Sequence, residues 1–442
     1  MGKNLFLYKT AVVASLAGFL FGFDTAVISG AEQSIQSLWS LSSTLHGLAI
    51  SMALWGTVVG SLIGGWPAEV FGRKTTLLWV GVLYLISSVG SALAPEVYSF
   101  MLFRFLGGLG VGISTVASPM FIAEIAPAKA RGRLTGMFQF NIVFGILLAF
   151  CSNSLLSVIG DNEWRWMLGV QAFPSLIFTL FCIGLPESPR WLITHKNDLA
   201  GGMAVFKKVD PTYTESELSA LAAEIASSGK DVKLTGAFFS KALTRPIFLA
   251  FFVAFFNQLS GINAILYFAP RIFEMTGLQS QAALLQSVGI GATMLVFTFI
   301  GLWLIDRLGR RTLLYIGSFG YILSLGITSW AFANGYSEII PVFIFIFIAA
   351  HGIGQGAVIW VLISEIFPNK YRAFGQTLGS FTHWFFAALI TLFFPILAEN
   401  LAPQYIFGIF FVMMILQLIW VHFFVPETKG ISLEEMHVQM SK

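Results

Sequence analysis

Phe255-Phe256-Asn257-Gln258-Leu259-Ser260-Gly261-Ile262-Asn263-Ala264-Ile265-Leu266-Tyr267 decides how the chain is read. It lies in a run of apolar residues that begins after Arg245. Three amides and a hydroxyl stand where a lipid-facing helix would carry only Leu, Ile and Phe. An unpaired amide in hydrocarbon costs several kcal/mol, so these groups must face protein or a wet cavity. Gly261 permits a bend, which would bring Asn257, Gln258 and Asn263 toward one point. Amides both donate and accept hydrogen bonds, which suits a polyhydroxylated ligand. The plainer reading is interhelical glue, but glue rarely needs four polar groups within seven residues.

The rest of the composition agrees with a membrane setting. Hydrophobic residues make up 56% and charged residues 11%, against about 25% charged in soluble domains. Forty-five Phe and 43 Gly suit helices packed closely in lipid. Cys151 and Cys182 fall in apolar runs and are expected as free thiols. Met1–Lys9 leads into an apolar run with no small-residue cleavage site, so that run is read as a retained span.

Apolar runs of about 20 residues predict twelve spans. The first six are Thr10–Gly30, Leu48–Ala68, Thr76–Ala94, Tyr98–Ala123, Leu134–Val158 and Arg165–Leu185. The second six are Ile247–Met275, Ala282–Ile305, Thr312–Ala333, Ile339–Ile366, Phe374–Ala398 and Pro403–Val425. The predicted division is residues 1–186 as one half, 187–246 as linker helices, 247–425 as the other half and 426–442 as a tail. Glu215–Ser228 has helical composition within the linker. An even span count puts both termini on one side. Of 25 Lys and Arg, Arg104 is inside a span and only Arg165 and Arg271 fall on the opposite side, so both termini are expected in the cytoplasm.

The chain repeats. Glu69-Val70-Phe71-Gly72-Arg73-Lys74 recurs as Asp306-Arg307-Leu308-Gly309-Arg310-Arg311. Glu124 with Arg131 recurs as Glu365 with Arg372, and Pro186-Glu187-Ser188 as Pro426-Glu427-Thr428. The acids are 237, 241 and 240 residues apart. Two parallel six-span halves imply a transporter whose halves rock about a central site. Glu69, Arg73, Glu124, Arg131, Glu187, Asp306, Arg310, Glu365, Arg372 and Glu427 are therefore candidate latch residues at cytoplasmic helix ends. One exposed pair contributes about 0–1 kcal/mol, so only a network could bias an equilibrium. The plainer reading is a set of charges that pin helix ends.

Asp24 and Arg104 are read as the only acid and base well inside a span. Asp24 lies roughly 22 Å from the cytoplasmic surface and Arg104 roughly 12 Å below the outer one, at 1.5 Å per residue. In a core about 30 Å thick these depths are similar. An intramembrane acid within reach of a base is a candidate proton site; a permanent ion pair is the alternative. Gln139, Trp360, His383 and Trp384 are further polar residues in spans. Trp360 could stack on a sugar ring or simply pack. His383 could contact a ligand or be a satisfied packing residue. Gly352, Gly354 and Gly356 suggest a gating segment near Trp360.

With these residues in view, the chain resembles the sugar-porter branch of the major facilitator superfamily over nearly its whole length. The resemblance rests on Phe21-Gly22-Phe23-Asp24-Thr25-Ala26-Val27-Ile28-Ser29-Gly30, Gly65 with Glu69 and Gly72-Arg73-Lys74, Arg131-Gly132-Arg133, Pro186-Glu187-Ser188-Pro189-Arg190-Trp191-Leu192, Gln258-Leu259-Ser260-Gly261-Ile262-Asn263 and Pro426-Glu427-Thr428-Lys429-Gly430. It implies an all-α bundle of twelve transmembrane helices in two pseudo-symmetric halves with a cytoplasmic helical linker. It implies transport of a monosaccharide, as in proton-linked xylose symporters and glucose facilitators. By position, sugar contacts would fall on Gln139, Gln258, Asn263, Tyr267 and Trp360, with Phe21 nearby. Asn257 and His383 join them as ligand-shell residues. The coupling acid would be Asp24 and its partner Arg104, which favours symport over the uniport of facilitators. Asn257, Met294, His383 and Ala357 depart from the usual pattern and bear on which sugar is carried.

Other classes fit less well. The spans show no metal-ligand cluster or nucleophile–base pair, so no enzyme and no cofactor is expected; His351, His383 and His422 lie in separate spans. A sugar sensor would want long tails, and a drug antiporter more acids than amides. The expected partners are a monosaccharide, protons and the bilayer of a cell (inner) membrane, with no nucleic acid, and a monomer is expected.

Overall fold

The computed structural model describes residues 5–228, 238–368, 371–431 and 435–436. Twelve helices among them are long and apolar enough to cross a membrane. The first half holds Leu5–Leu38, Ser43–Ile63, Arg73–Leu93, Val97–Ile125, Ala130–Leu156 and Glu163–Ile183. The second holds Thr244–Tyr267, Ser280–Leu308, Arg310–Asn334, Ser337–Ile366, Arg372–Asn400 and Pro403–Phe424. No strand occurs among the described residues. Both cysteines are free, as expected.

Helix ends are set by local chemistry. Glu96 starts the fourth span by accepting from Tyr98 N at 2.9 Å and Ser99 N at 2.8 Å. Those backbone hydrogen bonds favour the ionised carboxyl and hold it below the usual range. Between the halves lie Pro189–Lys196, Leu199–Val209 and Glu215–Ser228. Ser188 caps the first and Asp198 the second. Thr214 and Glu217 make a reciprocal capping box at the third, which lowers the Glu217 pKa. That helix has the bounds its composition predicts.

The repeat is also conformational. Gly72 and Gly309 both have φ +94°, each ending one helix and starting the next. Glu187 accepts from Arg73 N and Lys74 N, and Glu427 from Arg310 N and Arg311 N. A Cβ on either glycine would strike the carboxylate that caps the following helix. Gly309→Ala therefore combines a left-handed backbone with a clash. It should cost about 1–3 kcal/mol and lower the melting temperature in detergent. Gly65→Ala, where nothing lies within 4 Å, should leave it unchanged.

The halves touch most extensively along two crossings. The second span packs on the eleventh, and the fifth on the eighth. Gly47 lies against the Leu392 carbonyl, and Gly291 lies against Leu147, where a Cβ would be 2.7 Å from its Cα. Small residues let the helix backbones approach this closely.

Two spans of the second half are broken, and both breaks fall where glycine stands. The seventh runs Thr244–Leu259, turns at Gly261 (φ +88°) and resumes as Ile262–Tyr267, followed by Ala269–Glu274. The tenth breaks at Gly354 between Ile340–Ile353 and Gln355–Ile366. The first span runs eight residues beyond its predicted end at Gly30.

Candidate substrate and proton site

Asp24 and Arg104 touch. Arg104 Nη1 donates to Asp24 Oδ1 at 2.8 Å, and Nη2 reaches the Asp24 carbonyl at 3.3 Å. Both residues are 2% exposed. A buried pair holds together mainly because parting it strands a charge, at about 3–5 kcal/mol. Gly107 makes room: a side chain there would meet Ser87 and come within 3.7 Å of Asp24 Oδ1. The pair thus joins the first and fourth spans.

The break at Gly261 turns three amides inward, and they form a chain. Asn263 Nδ2 donates to Gln258 Oε1 at 2.6 Å, and Gln258 Nε2 donates to Asn257 Oδ1 at 2.9 Å. The same Nε2 lies 3.1 Å and 3.2 Å from the two ring nitrogens of His383. Ser260 does not join this chain; its hydroxyl donates to the Asn257 carbonyl at 2.6 Å. The amides thus serve the seventh span and one neighbour, not a web of helices. Gln258 is the hub.

Aromatic rings continue the cluster. His383 lies 5.2 Å from Trp360 and 4.6 Å from Trp384, centroid to centroid. Trp384 meets Phe21 edge-on at 5.3 Å, which ties the cluster to the first half. Sequence reasoning named Trp384 but gave it no role. Its place next to His383 was the signal. Tyr267 is 1% exposed, with its hydroxyl beside Thr25 and within electrostatic range of Arg104 and Asp24. Gln139 is half-buried in the fifth span and makes no hydrogen bond among the described residues. Met294 is 5% exposed in the eighth. The arrangement offers fixed donors, fixed acceptors and indole faces. Those are the groups that bind hydroxyls and the C–H face of a ring. No cluster of three metal-ligating side chains occurs among the described residues.

The family profile described as "Sugar (and other) transporter" matches residues 10–440. The chain belongs to the sugar transporter family. It is 32% identical to the D-xylose-proton symporter of Escherichia coli (strain K12), over 98% of this chain and 96% of that one. It is 35% identical to the arabinose-proton symporter of Bacillus subtilis (strain 168), over 98% and 94%. The fold matches the xylose transporter XylE from E. coli in its inward open conformation with TM-score 0.86 at 31% identity, covering 98% of this chain and 99% of that one. Against XylE bound to 6-bromo-6-deoxy-D-glucose the TM-score is 0.80, at the same identity and coverage.

In this sugar transporter the end clusters form within each half. At the face that carries the chain ends, Arg73 pairs with Glu124 at 2.9 Å and Glu69 at 3.1 Å. Ser188 adds a hydrogen bond to Glu124. Arg310 repeats this with Glu365 at 2.7 Å and Asp306 at 3.1 Å, and Thr428 bonds Glu365. Arg131 is exposed, its Nε donating to the Ala123 carbonyl at 3.1 Å. The ion-pair partners of Arg73 and of Arg310 lie in their own halves.

The opposite face differs. Glu32 is fully buried, and its carboxylate takes two hydrogen bonds from Arg271 of the seventh span at 2.9 Å and 2.7 Å. The reading of Asp24 as the only acid well inside a span is therefore corrected, whereas Arg271 lies past Tyr267, where the seventh span ends. The first span continues past Gly30, which brings Glu32 into the bundle. A signal was present: Glu32 lies two i,i+4 steps from Asp24, and Arg271 one such step from Tyr267.

Proposed function

We propose that this sugar transporter is a proton-coupled monosaccharide symporter working by alternating access in a cell membrane, with both termini and the linker in the cytoplasm. One observation carries the reading. Tyr267 belongs to the bent span that bears the amides, and it sits beside Thr25 within range of the Asp24–Arg104 pair. A change at either site would reach the other through this contact. Protonation of Asp24 would loosen its hold on Arg104. Sugar would then bind between Phe21 and Gln139 on one side and Asn257, Gln258, Asn263, Tyr267, Trp360 and His383 on the other. The breaks at Gly261 and Gly354 would let the seventh and tenth spans close on it. Proton and sugar would leave to the cytoplasm, and Asp24 would pair with Arg104 again.

The two relatives named as xylose– and arabinose–proton symporters support the coupling. The distribution of Lys and Arg supports the orientation. Units of 1–186, 187–246, 247–425 and 426–442 remain the proposed division. The bracketed clusters at the cytoplasmic end would keep each half rigid and supply the latch of the outward-facing state. A uniporter for the same sugars is the second reading.

The test is uptake of labelled hexoses and pentoses into proteoliposomes, with and without an inward proton gradient. Gradient-driven overshoot is expected for at least one of them. Equilibration without overshoot would leave the uniporter. Absence of uptake across the panel would overturn the sugar assignment and turn attention to Asn257, Met294 and His383.

A further inference from the structure

The buried charges at the outer end serve no step described so far. Glu32 lies on the first span at 0% exposure. Arg271 lies on the short helix Ala269–Glu274 that ends the seventh span. The contact is two-pronged, with Arg271 Nε to Glu32 Oε1 at 2.9 Å and Nη2 to Oε2 at 2.7 Å. Nη2 also donates to Gln36 Oε1 at 2.6 Å. His46, on the second span and 0% exposed, places Nε2 2.8 Å from Glu32 Oε2. Nearby, Gln33 donates to Glu274 at 2.8 Å. Beyond the cluster lies a cavity of about 310 Å³, lined by Gln36, Ser43, Arg271, Met275 and Glu399 among others.

The partners come from different halves. Glu32, Gln33, Gln36 and His46 belong to the first; Arg271 and Glu274 belong to the second. If the halves part at this end, Arg271 leaves with its own half and Glu32 stays with His46. A surface pair would make that separation nearly free. A fully buried carboxylate held at two points by a guanidinium does not part freely.

We propose that Glu32, Arg271, His46 and Gln36 form a charged outer latch that holds the extracellular end shut and is broken each time the site turns outward. This rests on the alternating-access reading above. It also explains how sugar could set the latch. Arg271 follows Tyr267 by four residues, just past the segment that carries Asn263. Glu32 follows Asp24 by eight residues on one continuous helix. The sugar site connects to Arg271 across the joint at Phe268 between Ile262–Tyr267 and Ala269–Glu274, and the proton site connects to Glu32 along one continuous helix. Asn263 and Tyr267, drawn onto a sugar, would carry Arg271 toward Glu32. Arg271 and Glu32 are thus positioning residues that touch no substrate.

The test reads the outer end directly and needs neither sugar nor a gradient. Spin labels at Tyr98→Cys and Tyr405→Cys, both exposed at the outer ends of the fourth and twelfth spans, report the separation of the halves. Cys151→Ser and Cys182→Ala remove the native thiols. Arg271→Gln strands the fully buried Glu32 carboxylate, and Glu32→Gln removes the charge that holds the half-buried Arg271, so each should raise the ratio of long to short distances by roughly tenfold or more. The double variant should go no further than the larger single, because both remove one interaction. Arg271→Lys keeps the charge without the two-point contact and should fall between; it carries the test if a neutral variant does not insert. Unchanged distance distributions in the variants that insert, or single effects that add in the double, would overturn the latch. Failure of sugar transport in the native protein would leave these distances readable, so the two readings fall separately.

Discussion

Asp24→Asn is expected to abolish uphill accumulation of sugar while sugar exchange across the membrane continues. The geometry explains why the two activities should part. Asparagine keeps an oxygen where Asp24 Oδ1 now accepts from Arg104 Nη1 at 2.8 Å. The first and fourth spans would keep their junction, and the side chain would imitate the protonated acid. What is lost is the ability to exchange a proton. The accumulation ratio under an inward proton gradient should fall to about one, since without coupling transport only equilibrates. Counterflow of labelled against unlabelled sugar should stay within a few-fold of the parent. Arg104→Leu makes the contrast. It would leave the Asp24 carboxylate 2% exposed and unpaired, a penalty of about 3–5 kcal/mol that should show as poor yield and a low melting temperature. Full accumulation by Asp24→Asn would reduce the pair to a structural contact.

The same residues show what the sequence could and could not disclose. Asp24 and Arg104 were legible because each is a lone charge in an apolar run, and counting residues from the nearest loops gave similar depths. The amide cluster was legible because amides are costly in hydrocarbon and Gly261 marked the bend. Both arguments use one-dimensional information: what stands where, and how far along. Glu32 escaped because Glu32, Gln33, Ser34 and Gln36 together resemble the end of a span. Glu32, Gln33 and Gln36 are held there by Arg271 and Glu274 from 235 to 241 residues away, and Ser34 by Glu163. Hydropathy registers a polar residue and not its partner. For the same reason the end clusters were legible as acids and bases in repeated order, but not as brackets closed within each half. The pairing of Arg73 with Glu124 and of Arg310 with Glu365 depends on the turns at Gly72 and Gly309, which aim each arginine at its own half.

The amide chain sets the second large effect. Gln258→Ala should weaken sugar binding by roughly 100-fold, more than any other single change among the proposed contact residues. The parts of this estimate are visible in the structure. Gln258 accepts from Asn263, donates to Asn257 and faces His383. Truncation removes the groups offered to sugar hydroxyls. It also leaves Asn263 Nδ2 and Asn257 Oδ1, on residues 6% and 1% exposed, without the Gln258 groups that now fix them. Each net hydrogen bond is worth about 0.5–1.5 kcal/mol and each stranded buried group about 1–3 kcal/mol. Two such effects together bracket the 2.8 kcal/mol or so that corresponds to 100-fold. Gln139→Ala should do less, roughly tenfold, because Gln139 is half-buried and orients no neighbour. His383→Asn should be milder still, since a side-chain carbonyl can accept from Gln258 in place of the imidazole. Substrate titration of counterflow measures all three. Combining Gln258→Ala with Asn263→Ala should cost little beyond Gln258→Ala alone, because the first change already frees the second side chain. If those effects multiplied instead, the amides would be contacting sugar independently and the hub would have no standing.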